Sequence, residues 1–167
     1  MRVTLEAATA ADAPEIAALR NATAADLTQR HGVGPWSGRC TERGVLFDLR
    51  HARLYVARRR GRIIATLVLA TRKPWAIDRS YFTPCQRPLY LTSMAVSPEL
   101  QRRGIGRLCL VAAGKIARDR PADAIFLDAY DHPDAGAGGF YRRCGYREAG
   151  RATFRGAPLV YFELLLR

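Results

Sequence analysis

Lysine is nearly absent from this chain: Lys73 and Lys115 are its only two among 27 basic residues. No lysine stands where a nucleoside-triphosphate P-loop needs Gly-Lys followed by Ser or Thr, because the basic glycine loop here reads Gly106-Arg107-Leu108. Long apolar runs are also missing. No stretch approaches the roughly 20 apolar residues of a membrane-spanning helix, and no apolar run follows a basic segment near the start. A soluble cytoplasmic protein without a membrane partner is expected. The four cysteines, Cys40, Cys85, Cys109 and Cys144, are scattered without a Cys-x-x-Cys pair, and the three histidines show no metal-ligand spacing. Neither a structural disulfide nor a metal site is expected.

What is present fits one core. A chain of 167 residues, 49% apolar, has the length of a single domain, taken here as 1–167. The net charge of +12 raises a nucleic-acid reading. Its distribution argues against that partner, since the densest run, Arg58-Arg59-Arg60-Gly61-Arg62, reads as a solvated hairpin turn and the other arginines are dispersed. The arginine excess reads mainly as compositional bias, and part of it can attract a phosphate-bearing ligand or an acidic partner.

The most telling stretch runs from Leu91-Thr92-Ser93-Met94-Ala95-Val96 through Ser97-Pro98-Glu99-Leu100 to Gln101-Arg102-Arg103-Gly104-Ile105-Gly106. An apolar strand turns through a basic loop into a helix whose first N–H groups and dipole face any anion placed there. Gly104 and Gly106 remove Cβ atoms that would block a ligand, and Arg102, Arg103 and Arg107 add counter-charge. A dinucleotide fingerprint fits poorly, because Cys109 stands where the third glycine belongs and the loop lies past mid-chain. The pattern Gln/Arg-x-x-Gly-x-Gly/Ala does fit, and it resembles the acetyl-CoA loop of the GNAT family of N-acetyltransferases. A second run in the right order, Asp134-Ala135-Gly136-Ala137-Gly138-Gly139-Phe140-Tyr141-Arg142-Arg143-Cys144-Gly145-Tyr146, looks like that family's Asn-x-x-Ala-x-x-Φ-Tyr-x-x-x-Gly-Phe segment, with Φ apolar. Asp134 departs from the usual asparagine.

Element signals are read as follows. Val3-Thr4-Leu5 begins a strand, and Asp12 caps a helix with Pro14 in its first turn, Glu15 at N3 and Ile16 and Leu19 inward. A second helix covers about 22–29, and a short one precedes His51. Residues 54–57 and 62–70 form a hairpin, and 89–96 the strand before the cradle. In the cradle helix Ile105, Leu108, Cys109, Ala112 and Ile116 make the apolar stripe, with Pro121 ending it. A strand at 124–129, a helix at 135–143 with Gly145 just beyond it, and strands at 146–154 and 158–165 complete the order β-α-α-β-β-β-α-β-α-β-β. The fold class implied is α/β: a mixed, mainly antiparallel GNAT-like sheet, splayed at the acetyl-CoA site and flanked by helices.

The resemblance implies an acetyl-CoA-dependent N-acetyltransferase, with direct attack by a primary amine in a ternary complex. It places Met94, Ala95 and Val96 along the pantetheine, Gln101, Arg102, Arg103, Gly104, Ile105, Gly106 and Arg107 at the pyrophosphate, and Asp134, Ala137 and Tyr141 on the far wall. By the same resemblance Tyr141 is expected to be the proton donor to the leaving sulfur. Where some members carry a basic glutamate, this chain has Thr92-Ser93-Met94. Asp128, Asp131, His132 and Glu163 remain candidates for the base, none singled out. Trp36 and Trp75 sit in segments implied to border the acceptor side. The acceptor is an amine, small molecule or protein, and a homodimer stays open. Two readings of other classes are a non-catalytic acyl-CoA sensor and, less favoured, a basic nucleic-acid-binding protein.

Overall fold

The computed structural model describes residues 2–167. Its elements follow the expected order: β1 (Leu5–Ala7), α1 (Ala13–His31), α2 (Glu42–His51), β2 (Arg53–Arg59), β3 (Arg62–Ala70), β4 (Pro88–Val96), α3 (Ile105–Asp119), β5 (Ala124–Tyr130), α4 (Gly138–Arg143), β6 (Arg147–Phe154) and β7 (Ala157–Leu165). The strands form one open sheet in the order β1-β2-β3-β4-β5-β7-β6. Only β4 and β5 run parallel; the other five pairings are antiparallel. This is the mixed, mainly antiparallel sheet expected from the sequence.

Alternation along the strands sorts side chains onto two faces. On one face Leu67, Leu69, Leu89, Leu91, Ile125, Leu127 and Phe162 pack with Ile105, Cys109, Ala113 and Ala117 of α3 and Tyr141 of α4. On the other, Leu54, Val56, Ile63 and Val68 meet Ala13, Ile16 and Ala17 of α1 and Val45 of α2. That same face continues over the C-terminal strands, where Ile77 and Phe82 from the β3–β4 connection cover Tyr90, Phe126 and Tyr161. Phe82 stacks on Phe126 with centroids 4.3 Å apart.

Several local expectations are corrected. A single 19-residue helix replaces the two expected between Asp12 and Gln29, because the alanines between Ala17 and Ala25 carry good helix propensity throughout. It ends at Gly32, whose φ of +80° suits glycine. Asp12 makes no side-chain cap for α1: its carboxylate accepts from the Thr9 N–H at 2.9 Å and from Arg58 at 2.6 Å. Glu15 instead accepts from the Ile63 N–H at 2.8 Å, tying α1 to β3. The stripe of α3 is turned from the one expected: Cys109, Leu110, Ala113, Gly114 and Ala117 are buried with Ile105, while Leu108, Ala112 and Ile116 are half-buried. β1 begins at Leu5 rather than Val3. Helix α4 begins three residues late, because the preceding turn folds on itself: a Cβ at Gly136 would lie 2.3 Å from the Tyr130 carbonyl oxygen.

Candidate functional site

The sheet opens where its one parallel pair fails. β4 and β5 pair only at Pro88 with Ala124, Leu89 with Ile125 and Tyr90 with Phe126. Beyond them the facing edges of 91–96 and 127–130 have no strand between them. β4 also carries a bulge: Thr66 pairs with Ala95 and Val68 with Thr92, so β4 spends one more residue than β3, and Ser93 adopts a φ of +50°. A bulge bends its strand, and this one lies three residues past the last β4–β5 pair. The cleft therefore has a backbone cause.

The cradle closes one end of this cleft. After a 3-10 turn over Pro98–Leu100, Gln101 donates its side-chain amide to the Val96 carbonyl at 3.1 Å, fastening the loop to β4. Arg102 has a φ of +60° and Gly104 one of +80°, with no side-chain cap at the start of α3. The first N–H groups of α3 are thus left for an outside partner. Nothing lies within 4 Å of the position a Cβ would take on Gly104, so the space above it is open. At Gly106 a Cβ would sit 3.0 Å from Phe140 and 3.6 Å from Met94, so the glycine also lets α4 pack closely on α3. Arg102, Arg103 and Arg107 are exposed and, among the described residues, unpaired.

Tyr141 projects from α4 into the opposite wall. It is 8% exposed, with Phe162 and Tyr146 each 5.7 Å away ring to ring. Burial, then the neighbouring Asp128 and Cys144, raises its ionisation well above an ordinary phenol, so it keeps its proton. The adjacent Tyr146 was legible only as a motif aromatic. Its hydroxyl is buried without a partner, and burial likewise raises its pKa. The nearby thiols hold their protons too: burial pushes Cys109 up to about 11, and burial raises Cys144 despite Arg107 and Arg143. All four cysteines are free.

The four candidate bases separate by their partners. Glu163 is buried and held by Arg147, the Thr83 N–H at 2.9 Å and the Thr83 hydroxyl at 2.8 Å. Asp131 is paired with Arg151 at 3.1 Å. His132 accepts at Nδ1 from the Asp134 and Ala135 N–H groups, at 3.1 and 3.0 Å, which leaves the proton on Nε2 and no free ring acceptor. Asp128 alone remains. Among the described residues it is the one acid, not fully exposed, that has neither an ion pair nor a side-chain hydrogen bond to another residue. Burial raises its pKa. It stands two residues beyond the last β4–β5 pair, opposite Tyr161 in the β5–β7 register. The sequence signal for it was strand alternation, which puts Asp128 on the face of Phe126 and Tyr161, whereas Leu127 and Ala129 face Tyr141.

The aromatic loops reach this outer face. Trp36 packs edge-on against Tyr130, centroids 5.6 Å apart, and against His31 at 6.3 Å, so the α1–α2 connection covers the open end of β5. Tyr130 stacks in turn with His132 at 5.7 Å. Trp75 is 80% exposed beside Ala76, whose carbonyl accepts from the Tyr161 hydroxyl at 2.5 Å. Asp134 and Ala137 are exposed on the turn before α4. Among the described residues no group of three His, Cys, Asp or Glu side chains could hold a metal ion, and no helix is long and apolar enough to cross a membrane.

Comparison with known proteins agrees with this geometry. An N-acetyltransferase from Staphylococcus aureus Mu50 superposes with a TM-score of 0.72 at 16% identity, covering all of both chains. A ribosomal-protein-alanine N-acetyltransferase from Brucella melitensis gives 0.72 at 20% identity over 97% of this chain and 99% of that one. The PaiA N-acetyltransferase from Thermoplasma acidophilum, in complex with coenzyme A, gives 0.70 at 12% identity over 96% and 98%. At such identities the likeness is one of fold. No curated protein matches the chain. Residues 16–146 match the sequence model described as the acetyltransferase (GNAT) family. From the cradle and cleft upward, and over most of its length, the chain belongs to the GNAT acetyltransferase family.

Proposed function

We propose that the protein is an acetyl-CoA-dependent N-acetyltransferase acting on a primary amine by direct attack in a ternary complex. One observation carries the reading: the parallel β4–β5 ladder stops after three pairs, at a cleft whose end is an uncapped helix start with open space over Gly104. These features suit a long ligand with a pyrophosphate at one end. Backbone N–H groups at the start of α3, with Arg102, Arg103 and Arg107, would hold the phosphates. The unpaired edge at Met94, Ala95 and Val96 would hydrogen-bond the pantetheine arm, while Ala137 and Asp134 would border it from the turn before α4. Acetyl-CoA supplies an acyl group activated as a thioester.

The side chains divide the remaining work. Asp128, unpartnered on the outer face, would receive the acceptor's ammonium and take its proton, leaving a neutral amine. An N–H of the bulged β4 edge would stabilise the carbonyl oxygen as negative charge develops there. Tyr141, neutral and on the inner face, would hold a proton for the leaving sulfur. Trp36 and Trp75 border the acceptor's approach, where aromatic faces offer contact area at small entropic cost.

The test is acetyl-CoA turnover with a panel of small amines, amino acids and amino-terminal peptides, followed chromatographically as free CoA. Acetylated product with at least one amine class supports the reading. Tight acyl-CoA binding without turnover across the panel would favour a sensor instead.

A further inference from the structure

The two pockets at the far end of the sheet adjoin one another. One, of about 480 Å³, is lined by Arg50, His51 and Arg53 between α2 and β2, with Leu69 and Thr71 at the end of β3. The other, of about 490 Å³, is lined by Lys73, Arg79 and Arg87 with the start of β4. Thr71 and Arg120 line both, so the two form one groove. It gathers residues that look dispersed in the sequence: Arg50 and Arg53, Lys73 and Arg79, and Arg120 come from three separate segments.

The groove is distinct from the cleft. It borders the Pro88 end of β4, whereas the cradle follows Val96, eight residues on or roughly 26 Å at a strand's rise. Its cations outnumber the acids near them. Among the described residues Arg50, Arg53, Lys73, Arg79 and Arg120 have no ion pair; of the acids at that end, Asp123 is shared by Arg87 at 3.4 Å and Arg167 at 3.8 Å, and Asp78 lies near Lys73 without pairing to it. Aromatic surface lies next to the lining. Phe47 is 53% exposed, and its ring stacks on the lining residue His51 with centroids 4.0 Å apart and planes at 25°.

From this arrangement we infer that the groove binds a single-stranded nucleic acid. Fixed cations along a channel match a phosphodiester backbone, and an exposed ring beside them supplies a stacking platform that every base can use. A row of carboxylates would satisfy the cations but offer nothing to the face of the Phe47 ring that His51 leaves uncovered. The inference does not depend on acetyl transfer, and it gives part of the +12 charge a location.

Two labelled probes, a uridine dodecamer and a thymidine dodecamer, test it by fluorescence anisotropy on the full chain over a salt series. The combined variant R50Q/R53Q/R120Q removes side chains that make no side-chain hydrogen bond or ion pair among the described residues. Its melting temperature should match the parent. Its affinity should fall at least ten-fold, with the log–log salt slope reduced by about 2, as losing three phosphate contacts on a single strand requires. The control R59Q/R60Q/R62Q removes the same charge from the β2–β3 turn and should stay within two-fold. Phe47→Ala should weaken both probes about five-fold, with tighter uridine binding identifying RNA and tighter thymidine binding DNA. Equal losses in the two triple variants, no salt-sensitive binding of either probe, or an unchanged Phe47→Ala would overturn the inference. Displacement by an aspartate dodecamer as effective as by unlabelled oligonucleotide would overturn it in favour of an acidic protein surface.

Discussion

Asp128 and Tyr141 flank β5 from opposite faces of the sheet, and the charge of Asp128 adds to burial in holding the proton on the phenol. A ligand passing through the cleft between β4 and β5 would meet an unpartnered carboxylate on one side and a protonated phenol on the other. Raising both pKa values leaves Asp128 easier to protonate and Tyr141 harder to ionise than in water.

The first prediction follows for Asp128→Asn. It should lower kcat/KM by about 100-fold, within the range of general-base catalysis, and remove the acidic limb of the pH profile. In the parent that limb rises with pH through a value raised from the ordinary aspartate one by burial, because only the ionised form can take a proton. Stability should move the other way. A carboxylate whose folded pKa is raised costs stability above that pKa, so the variant's melting temperature at pH 7 should equal or exceed the parent's. A large fall in melting temperature would identify a structural role.

Tyr141→Phe should lower kcat about ten-fold or more and leave acetyl-CoA affinity unchanged. The neighbouring Tyr146→Phe is the control, since its buried hydroxyl already lacks a partner. Removing it should leave kcat near the parent value and the melting temperature equal or higher. Steady-state kinetics with calorimetry on both variants separates the two phenols.

Gly104→Val should abolish CoA binding measured by calorimetry. At a φ of +80° a β-branched residue carries a strain of about 2 kcal/mol, while the open space around Gly104 spares it a clash in the free protein. Circular dichroism should show a folded chain with a lowered melting temperature. Unchanged CoA affinity in that folded variant would remove the cradle from the site.

For Trp36→Ala and Trp75→Ala the acceptor KM should rise while that of acetyl-CoA stays unchanged. The two differ in stability. Trp36 packs on Tyr130 and His31, so its loss should also lower the melting temperature, whereas Trp75 is 80% exposed and should leave it unaltered. Equal weakening of both substrates would mark the rings as packing residues.

The cradle was legible in the sequence because its chemistry is local: Gln101 to Gly106 fix the turn, the positive φ and the helix start within a few residues. Tyr141 was singled out through the family resemblance, by its register with Ala137 and Gly145. Asp128 was named among four acids and histidines but could not be chosen, because the choice depends on partners that come from distant segments: Arg147 and Thr83 for Glu163, Arg151 for Asp131. The same limit applies to the fold. The hairpin of β2 and β3 follows from alternation and a Gly61 turn, whereas the face α3 buries is set by the sheet it meets. The bulge at Ser93 shows only when β3 and β4 are aligned.

Hydrogen exchange of the backbone amides with and without acetyl-CoA is the most direct test of the central claim. The account predicts added protection along 91–96 of β4 and at Ile105, Gly106 and Arg107 at the start of α3, with little change at the Arg50 and Arg53 end of the sheet. Protection absent from both the β4 edge and the α3 start, in a protein that binds acetyl-CoA, would contradict it.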